Sequence, residues 1–169
     1  VEQERADDVL ILTWSVDYWD YLGEPDPLAI PAATERQSAY AERLGLRAPY
    51  TPQSVYDGAK ECPATRRQTI EKNIEDRRST APVLPIEIRP SETSFALDGA
   101  INAPLDVELV EFLSGERNTT DMVNPVVRTS YLGKWTGGAV SFAYTCPESC
   151  AVIVQKPGFG EVQAARRLR

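Results

Sequence analysis

Residues 16–23 combine two carboxylates with three large aromatic side chains, directly after an apolar run. The carboxylates of Asp17 and Asp20 can donate or accept a proton, which makes them candidate catalytic residues. The aromatic rings can form a surface that binds a peptide; they belong to Tyr18, Trp19 and Tyr21. The segment is too polar for a buried strand, so it predicts a loop that follows a strand and carries a site.

These side chains also have a structural interpretation, which we weigh against the functional one. Asp17 and Asp20 can cap turns or pair with a nearby arginine, Arg36 or Arg47, and we give this interpretation equal weight. For the aromatic rings, packing between two parts of the chain is the favoured role of at least one. The sequence alone leaves both interpretations open.

Histidine and metal chemistry are disfavoured by the composition. The chain has no histidine, which removes the commonest general base and the commonest zinc ligand. Four carboxylates lie near one another in the sequence, but their spacing fits no calcium loop. They belong to Asp17, Asp20, Glu24 and Asp26. We therefore expect no serine triad, no metal site and no cofactor.

The three cysteines are Cys62, Cys146 and Cys150, and no two of them form a CxxC motif. An odd count allows at most one disulfide within the chain and leaves a free thiol. A bridge from Cys146 to Cys150, a bridge from Cys62 to either of them, and reduced, buried thiols all remain open. Cys62 is a weak candidate for a reactive thiol, although an inert packing role is favoured.

Charge and hydropathy disfavour nucleic-acid binding and a membrane span. The 169-residue chain has 25 acidic and 18 basic residues, and its formal net charge is -7. This balance disfavours nucleic-acid binding, which requires clustered lysine and arginine. The basic residues 166–169 are interpreted as a frayed, solvated terminus. No apolar run approaches the ~20 residues of a membrane span, and no leader peptide is visible, so we expect targeting information to be absent or removed.

The first half of the chain predicts an α/β unit. Residues 9–16 form a continuous apolar run, which is typical of a central strand covered on both faces. Thr34 and Gln37 fit a capping box that starts a helix, and Gly45 fits the left-handed residue that ends it. Residues 54–62 predict a hairpin around Asp57-Gly58, and a second helix is expected from residue 65 to residue 77.

The second half predicts a β unit. Six short strands are expected near residues 83–88, 93–97, 105–112, 123–132, 139–145 and 150–155. Strands at such regular spacing favour an antiparallel sandwich. We therefore predict an α+β fold with a boundary near residues 78–82, which divides the chain into units 1–80 and 81–169.

Several motifs carry a resemblance to a known family. They lie at residues 16–23, 26–27, 34–37, 40–41, 44–46 and 50–53, and more weakly at 124–128, 132–135 and 150–155. The chain resembles the bacterial thioredoxin-like family catalogued as domain of unknown function 1223. The resemblance implies a thioredoxin-like unit, with the peptide bond of Thr51-Pro52 in the cis form beside the active site. It also implies an exported protein, periplasmic or secreted.

The resemblance further implies a first strand and a CxxC motif, and neither occurs in this sequence. We expect either a shortened version of a longer protein or a sheet completed by dimerisation or strand exchange. The predicted function is that of a thioredoxin-like protein, related to thiol–disulfide redox proteins, without redox turnover. An extended peptide would then bind beside Thr51 and Pro52. The alternatives are a non-catalytic module that binds a peptide or protein through residues 16–23 and, less favoured, an acid–base enzyme using Asp17 and Asp20.

Overall fold

A computed structural model of the protein describes residues 9–80 and 85–169, and the fold is α+β. The helices of this part of the chain are α1 (Pro31–Arg43) and α2 (Arg67–Thr80), with short 3-10 helices at Asp20–Leu22 and Gly115–Arg117. The strands are β1 (Gln53–Tyr56), β2 (Lys60–Pro63), β3 (Glu87–Pro90), β4 (Ser94–Asp98), β5 (Leu105–Phe112), β6 (Val126–Trp135), β7 (Val140–Ala143), β8 (Ser149–Gln155) and β9 (Val162–Arg167). Neither helix is long and apolar enough to cross a membrane.

The strands from β3 onward form an antiparallel sandwich, as predicted. One sheet has the order β3-β4-β7 and the other the order β6-β5-β8-β9. Phe95 and Leu97 from the first sheet pack against Val107, Val152 and Val154 from the second, and all five are essentially inaccessible to solvent. Burying each such side chain stabilises the fold by about 1.5–3 kcal/mol.

The C-terminal residues are ordered into a strand, so the prediction of a frayed terminus is wrong. β9 pairs with β8 along the edge of the four-stranded sheet. Beyond it, Leu168 donates a backbone hydrogen bond to Cys150 at 2.8 Å, and the Arg166 guanidinium donates to the carbonyl of Ile88 at 2.8 Å. These bonds hold the basic end against both sheets.

Residues 9–16 form no regular strand, which corrects a second prediction. The segment is extended, but it has only two isolated parallel bridges, Thr13 with Pro125 and Ser15 with Ala29. Its apolar side chains pack on the β unit beside Phe112 and Val126. The apolar run therefore reflects docking onto the sandwich rather than a place in the centre of a sheet.

Helix α1 begins one turn before the predicted position. Pro31 occupies the first helical position, where its fixed φ favours a helix start, and Ile30 is the N-cap residue. Thr34 is therefore inside the first turn and caps nothing in the helix. The predicted end is confirmed, because Gly45 has φ +70° and Leu46 donates to the carbonyl of Ala41 at 2.8 Å.

The predicted hairpin is confirmed, and β1 and β2 form a two-stranded sheet of their own beside α2. The peptide bond of Thr51-Pro52 before it is cis. Two buried arginines, one on α1 and one on α2, connect the helices to the β unit. Arg36 pairs with Glu108, and Arg77 pairs with Asp57 and Glu161. The division into units 1–80 and 81–169 stays a prediction.

A disulfide joins Cys146 to Cys150, which settles the alternatives that the sequence left open, and Cys62 is free and buried. The bridge closes the connection between β7 in one sheet and β8 in the other. We expect the double substitution Cys146→Ala and Cys150→Ala to lower the free energy of unfolding by about 2 kcal/mol, because the closed loop is short.

Urea unfolding, followed by circular dichroism, measures this effect. Reduction of the native protein with dithiothreitol should reproduce the shift, whereas the same reductant should leave the double variant unchanged. An identical midpoint for the native protein with and without reductant would contradict a stabilising role of the bridge.

Candidate functional site

The aromatic loop at residues 16–23 is folded into a compact turn. The amide of Asp20 donates to the carbonyl of Asp17 at 3.1 Å, and that of Leu22 donates to the carbonyl of Trp19 at 2.9 Å. Three large side chains of the loop nevertheless face solvent: Trp19 is 47% exposed, Tyr21 78% and Leu22 66%. Such a contiguous apolar patch is typical of a surface that meets a partner.

The loop lies directly against the residues that precede the hairpin. The indole Nε1 of Trp19 donates to the hydroxyl of Thr51 at 3.1 Å. The sequence placed these residues 32 positions apart, so the fold brings together two of the predicted binding segments. Tyr18 packs against Trp19 with ring centroids 5.3 Å apart, and its hydroxyl points to helix α1.

Gln37 of α1 connects the loop to the hairpin. Its Oε1 accepts a hydrogen bond from the hydroxyl of Tyr18 at 2.8 Å. Its Nε2 donates to the carbonyl of Tyr50 at 2.7 Å and to Oε1 of Gln53 at 3.1 Å. The two donor bonds of this buried amide therefore hold residues on either side of Thr51-Pro52, and its acceptor bond holds the aromatic loop.

Glu61 of β2 continues this network beneath the hairpin. Its carboxylate accepts hydrogen bonds from the hydroxyl of Tyr50 and, at 3.1 Å, from Nε2 of Gln53. Burial raises the pKa of Tyr50 well above its usual value, and the hydrogen bond to Glu61 and the charge of that carboxylate raise it further. Tyr50 thus stays a neutral donor throughout the physiological range. Sequence reasoning missed Gln37, Tyr50, Gln53 and Glu61 as residues of the site.

Asp17 and Asp20 form hydrogen bonds that hold the loop in place. Asp17 accepts a hydrogen bond from the hydroxyl of Thr34 at 2.5 Å, and its own amide donates back to that hydroxyl at 3.1 Å. Asp20 accepts from the amide of Asp26 at 3.3 Å. Arg36 pairs with Glu108 instead of either aspartate. The turn-capping interpretation is therefore supported, and a catalytic role for the two aspartates stays a prediction.

Cys62 is buried in β2 and contacts the hydroxyl of Tyr56, 3.3 Å from its sulfur. Burial raises the pKa of Tyr56, and the hydrogen bond with Cys62 adds to this. The thiol thus has a packing environment, as the favoured interpretation expects. In residues 9–80 and 85–169, no group of three or more cysteine, aspartate or glutamate side chains is arranged to hold a metal ion.

In the part of the chain that the structure describes, strand β1 presents one edge of its backbone to no other strand. The carbonyl groups of Pro52 and Tyr56 accept hydrogen bonds from the return side of the hairpin. Because alternate residues of a strand turn their backbone groups to the same side, Gln53 and Val55 turn theirs away from β2. Within the described part of the chain, these two residues form no backbone hydrogen bond outside the hairpin. An extended segment can therefore pair with this edge, next to the aromatic loop.

Comparison with known proteins finds one similar solved structure and one protein family that match most of the chain. A search of the curated proteins finds no match. The chain is similar to the crystal structure of an Agrobacterium tumefaciens protein that was a structural genomics target, with a TM-score of 0.79 and 26% sequence identity. The alignment covers 99% of this chain and 83% of that protein. The family described as proteins of unknown function, DUF1223, matches residues 1–155, and the chain belongs to this family.

Proposed function

We propose that the protein binds an extended polypeptide segment, which adds as a strand to the free edge of β1. The observation that carries this proposal is the hydrogen bond from Trp19 to Thr51, because it brings the exposed aromatic loop to the segment that leads directly into β1. Backbone hydrogen bonds to Gln53 and Val55 supply affinity for any extended chain. Contacts with the side chains of Trp19, Tyr21 and Leu22 supply selectivity.

The site is prepared for this role before any ligand arrives. The amide of Gln37 fixes Tyr18 and Tyr50, and Glu61 fixes Tyr50 and Gln53. Little conformational entropy is therefore lost in ordering the strand edge when a ligand binds. Exposed tyrosine and tryptophan also provide large contact areas with few rotatable bonds, and they are enriched among the residues that dominate binding energy.

The resemblance to thioredoxin-like proteins supports the same position for the ligand. We propose that the protein is a thioredoxin-like member that binds peptides without thiol–disulfide turnover. The burial of Cys62 supports this proposal, since a reactive thiolate requires an accessible, electropositive surrounding. The rate at which dithiothreitol reduces insulin, measured with and without the protein, tests this proposal. If the native protein and the Cys146→Ala, Cys150→Ala variant accelerate the reaction but Cys62→Ser does not, the protein is a redox catalyst and the proposal is wrong.

We expect Tyr21→Ala to weaken peptide binding about tenfold, because truncation of an anchor residue commonly costs this much or more. Tyr21 is 78% exposed, so its loss should leave the fold intact. Tyr131→Ala is the control, since Tyr131 is also largely exposed, at 62%, and lies on strand β6 of the sandwich. Fluorescence polarisation with a labelled peptide of about ten alternating valine and threonine residues, a length that suits one strand, measures both.

A second peptide separates strand pairing from simple hydrophobic contact. Methylation of alternate backbone nitrogens removes the donors that would pair with β1 and leaves the side chains unchanged. This peptide should bind much more weakly than its parent. Equal binding of both peptides, or an equal loss in Tyr21→Ala and Tyr131→Ala, would refute the proposed site.

We also propose that the protein acts outside the cytoplasm, in the periplasm or as a secreted protein. The disulfide between Cys146 and Cys150 supports this location, because disulfides persist in oxidising compartments. A second copy of the chain is the alternative occupant of the β1 edge. Analytical ultracentrifugation distinguishes the two, since a homodimer formed through this edge should dissociate when the valine–threonine peptide is added.

A further inference from the structure

We infer that the polypeptide bound at this site is cationic, with lysine or arginine side chains seated on the aromatic loop. This inference rests on the proposed function and concerns the class of ligand. It starts from the exposed rings of Trp19 and Tyr21, in a loop that Trp19 joins to Thr51, two residues before β1. The charges around those rings then select among extended peptides.

The exposed aromatic patch lies in a uniformly acidic stretch of chain. Residues 9–35 contain neither lysine nor arginine. Residues 19–27 are exposed apart from Asp20, which is half-buried. The four carboxylates of this loop and its continuation belong to Asp17, Asp20, Glu24 and Asp26. A ligand on the rings therefore approaches a surface of one sign of charge.

Among residues 9–80 and 85–169, these carboxylates have no cationic partner. None of the ion pairs among residues 9–80 and 85–169 includes any of the four. Eleven other acidic side chains in the same part of the chain do form ion pairs. The hydrogen bond from the amide of Asp26 to Asp20 also brings two of the four close together. The negative field of the loop is thus left for a partner to neutralise.

The rings and the strand edge match a basic, extended partner in detail. Lysine and arginine bind the faces of tryptophan and tyrosine through cation–π interactions. In a strand added to β1, every second side chain points to the same face, at a spacing of about 6.8 Å. Long basic side chains at alternate positions can therefore reach the rings and the carboxylates while the backbone pairs with Gln53 and Val55.

Three labelled peptides of about ten residues test this inference, each with valine at alternate positions. The other positions are lysine in the first peptide, glutamine in the second and glutamate in the third. We expect the lysine peptide to bind at least about tenfold more tightly than the glutamine peptide at low salt. The glutamate peptide should bind most weakly. Raising the salt from about 0.05 M to about 0.5 M should remove most of the preference for lysine.

A matched pair of variants tests whether the carboxylate of Glu24 contributes to binding of the lysine peptide. Glu24→Gln should weaken binding of the lysine peptide about threefold, the usual scale for one exposed ion pair. It should leave the glutamine peptide unaffected. Glu92→Gln removes another exposed carboxylate, from the turn between β3 and β4, that forms no ion pair with the described residues, and should change neither.

The outcomes separate the inference from the proposed function. If the lysine and glutamine peptides bind equally, or if Glu24→Gln and Glu92→Gln behave alike, the inference is wrong while strand addition stands. If no peptide binds, the proposed function fails and the inference fails with it. A preference for lysine that is lost in Glu24→Gln and in high salt supports both.

Discussion

Replacing Glu108 with leucine should lower the free energy of unfolding by about 3–5 kcal/mol, because it leaves a buried cation without its counter-ion. The cation is Arg36 of α1, which is only 4% exposed and pairs with Glu108 of β5. Its other hydrogen bonds go to neutral groups, the hydroxyl of Tyr40 at 2.9 Å and Oε1 of Gln155 at 3.3 Å. Neither can neutralise the guanidinium.

The surroundings of Arg36 prevent an easy escape to solvent. Its guanidinium lies over the rings of Trp14 and Phe159, 4.6 and 4.7 Å from their centroids. Phe159 holds this place with φ +54°, a left-handed conformation that is costly for a bulky residue. The Arg36 guanidinium could reach solvent only if α1 moved away from the sandwich. Loss of Glu108 should therefore weaken the packing of α1 against the sandwich.

A double-mutant cycle measures this coupling by urea unfolding. Glu108→Leu and Arg36→Met should each be strongly destabilising, whereas the double variant should recover a large part of the loss, since it buries no unpaired charge. Glu87→Leu is the control for removal of an exposed carboxylate that also pairs with an arginine. A loss below about 1 kcal/mol in Glu108→Leu, the size of a surface pair, would contradict the buried-pair argument.

The sandwich could be predicted from local pattern alone. In residues 140–145, large apolar or aromatic side chains alternate with small ones, and the run predicted at 105–112 is strand β5 itself. β9 was missed because its residues, Val-Gln-Ala-Ala-Arg-Arg, have little β propensity and are held by pairing with β8. Its order comes from a neighbour and not from its own composition.

Two errors in the first half have different causes, one distant in sequence and one local. An apolar run is equally consistent with a central strand and with a segment docked on another unit. Residues 9–16 are docked, through contacts near Asn124 and Pro125 more than 100 positions away. The capping box predicted at Thr34 and Gln37 is wrong, because Pro31, three residues earlier, starts the helix and leaves both side chains free for tertiary hydrogen bonds.

The candidate site likewise has one part that the sequence could predict and one part that it could not. Residue types identified the aromatic loop, because solvent-exposed rings beside carboxylates are unusual in any turn. The network beneath it has no sequence signal, since the partners of Gln37 lie 13 to 19 positions away. Arg36 and Glu108, 72 positions apart, are two ordinary charged residues until the fold buries them.

Gln37→Leu should lower the free energy of unfolding by about 3 kcal/mol, because it leaves three polar groups without their partner. These are the hydroxyl of Tyr18, the carbonyl of Tyr50 and Oε1 of Gln53. Leucine fills a similar volume, so the loss reports the hydrogen bonds rather than a cavity. Gln68→Leu, at an exposed position of α2, should change stability by less than about 0.5 kcal/mol.

Gln37→Glu tests which half of the amide matters. A carboxylate can still accept from Tyr18, but it cannot donate to the carbonyl of Tyr50 or to Gln53. We therefore expect it to be at least as destabilising as leucine, despite its similar shape. If Gln37→Glu unfolds at the same urea concentration as the native protein, the two donor bonds contribute nothing and the network does not hold the hairpin.

Peptide binding by the folded fraction of Gln37→Leu connects this network to the proposed function. Loss of the amide releases both walls of the site, Tyr18 in the loop and Tyr50 before Thr51-Pro52, while Trp19, Tyr21 and the β1 edge are chemically unchanged. A ligand must then order these segments itself, which should weaken binding about tenfold at a temperature where the variant is folded. Unchanged affinity would mean that the aromatic loop and the strand edge act independently, and that the hydrogen bond from Trp19 to Thr51 alone suffices to join them.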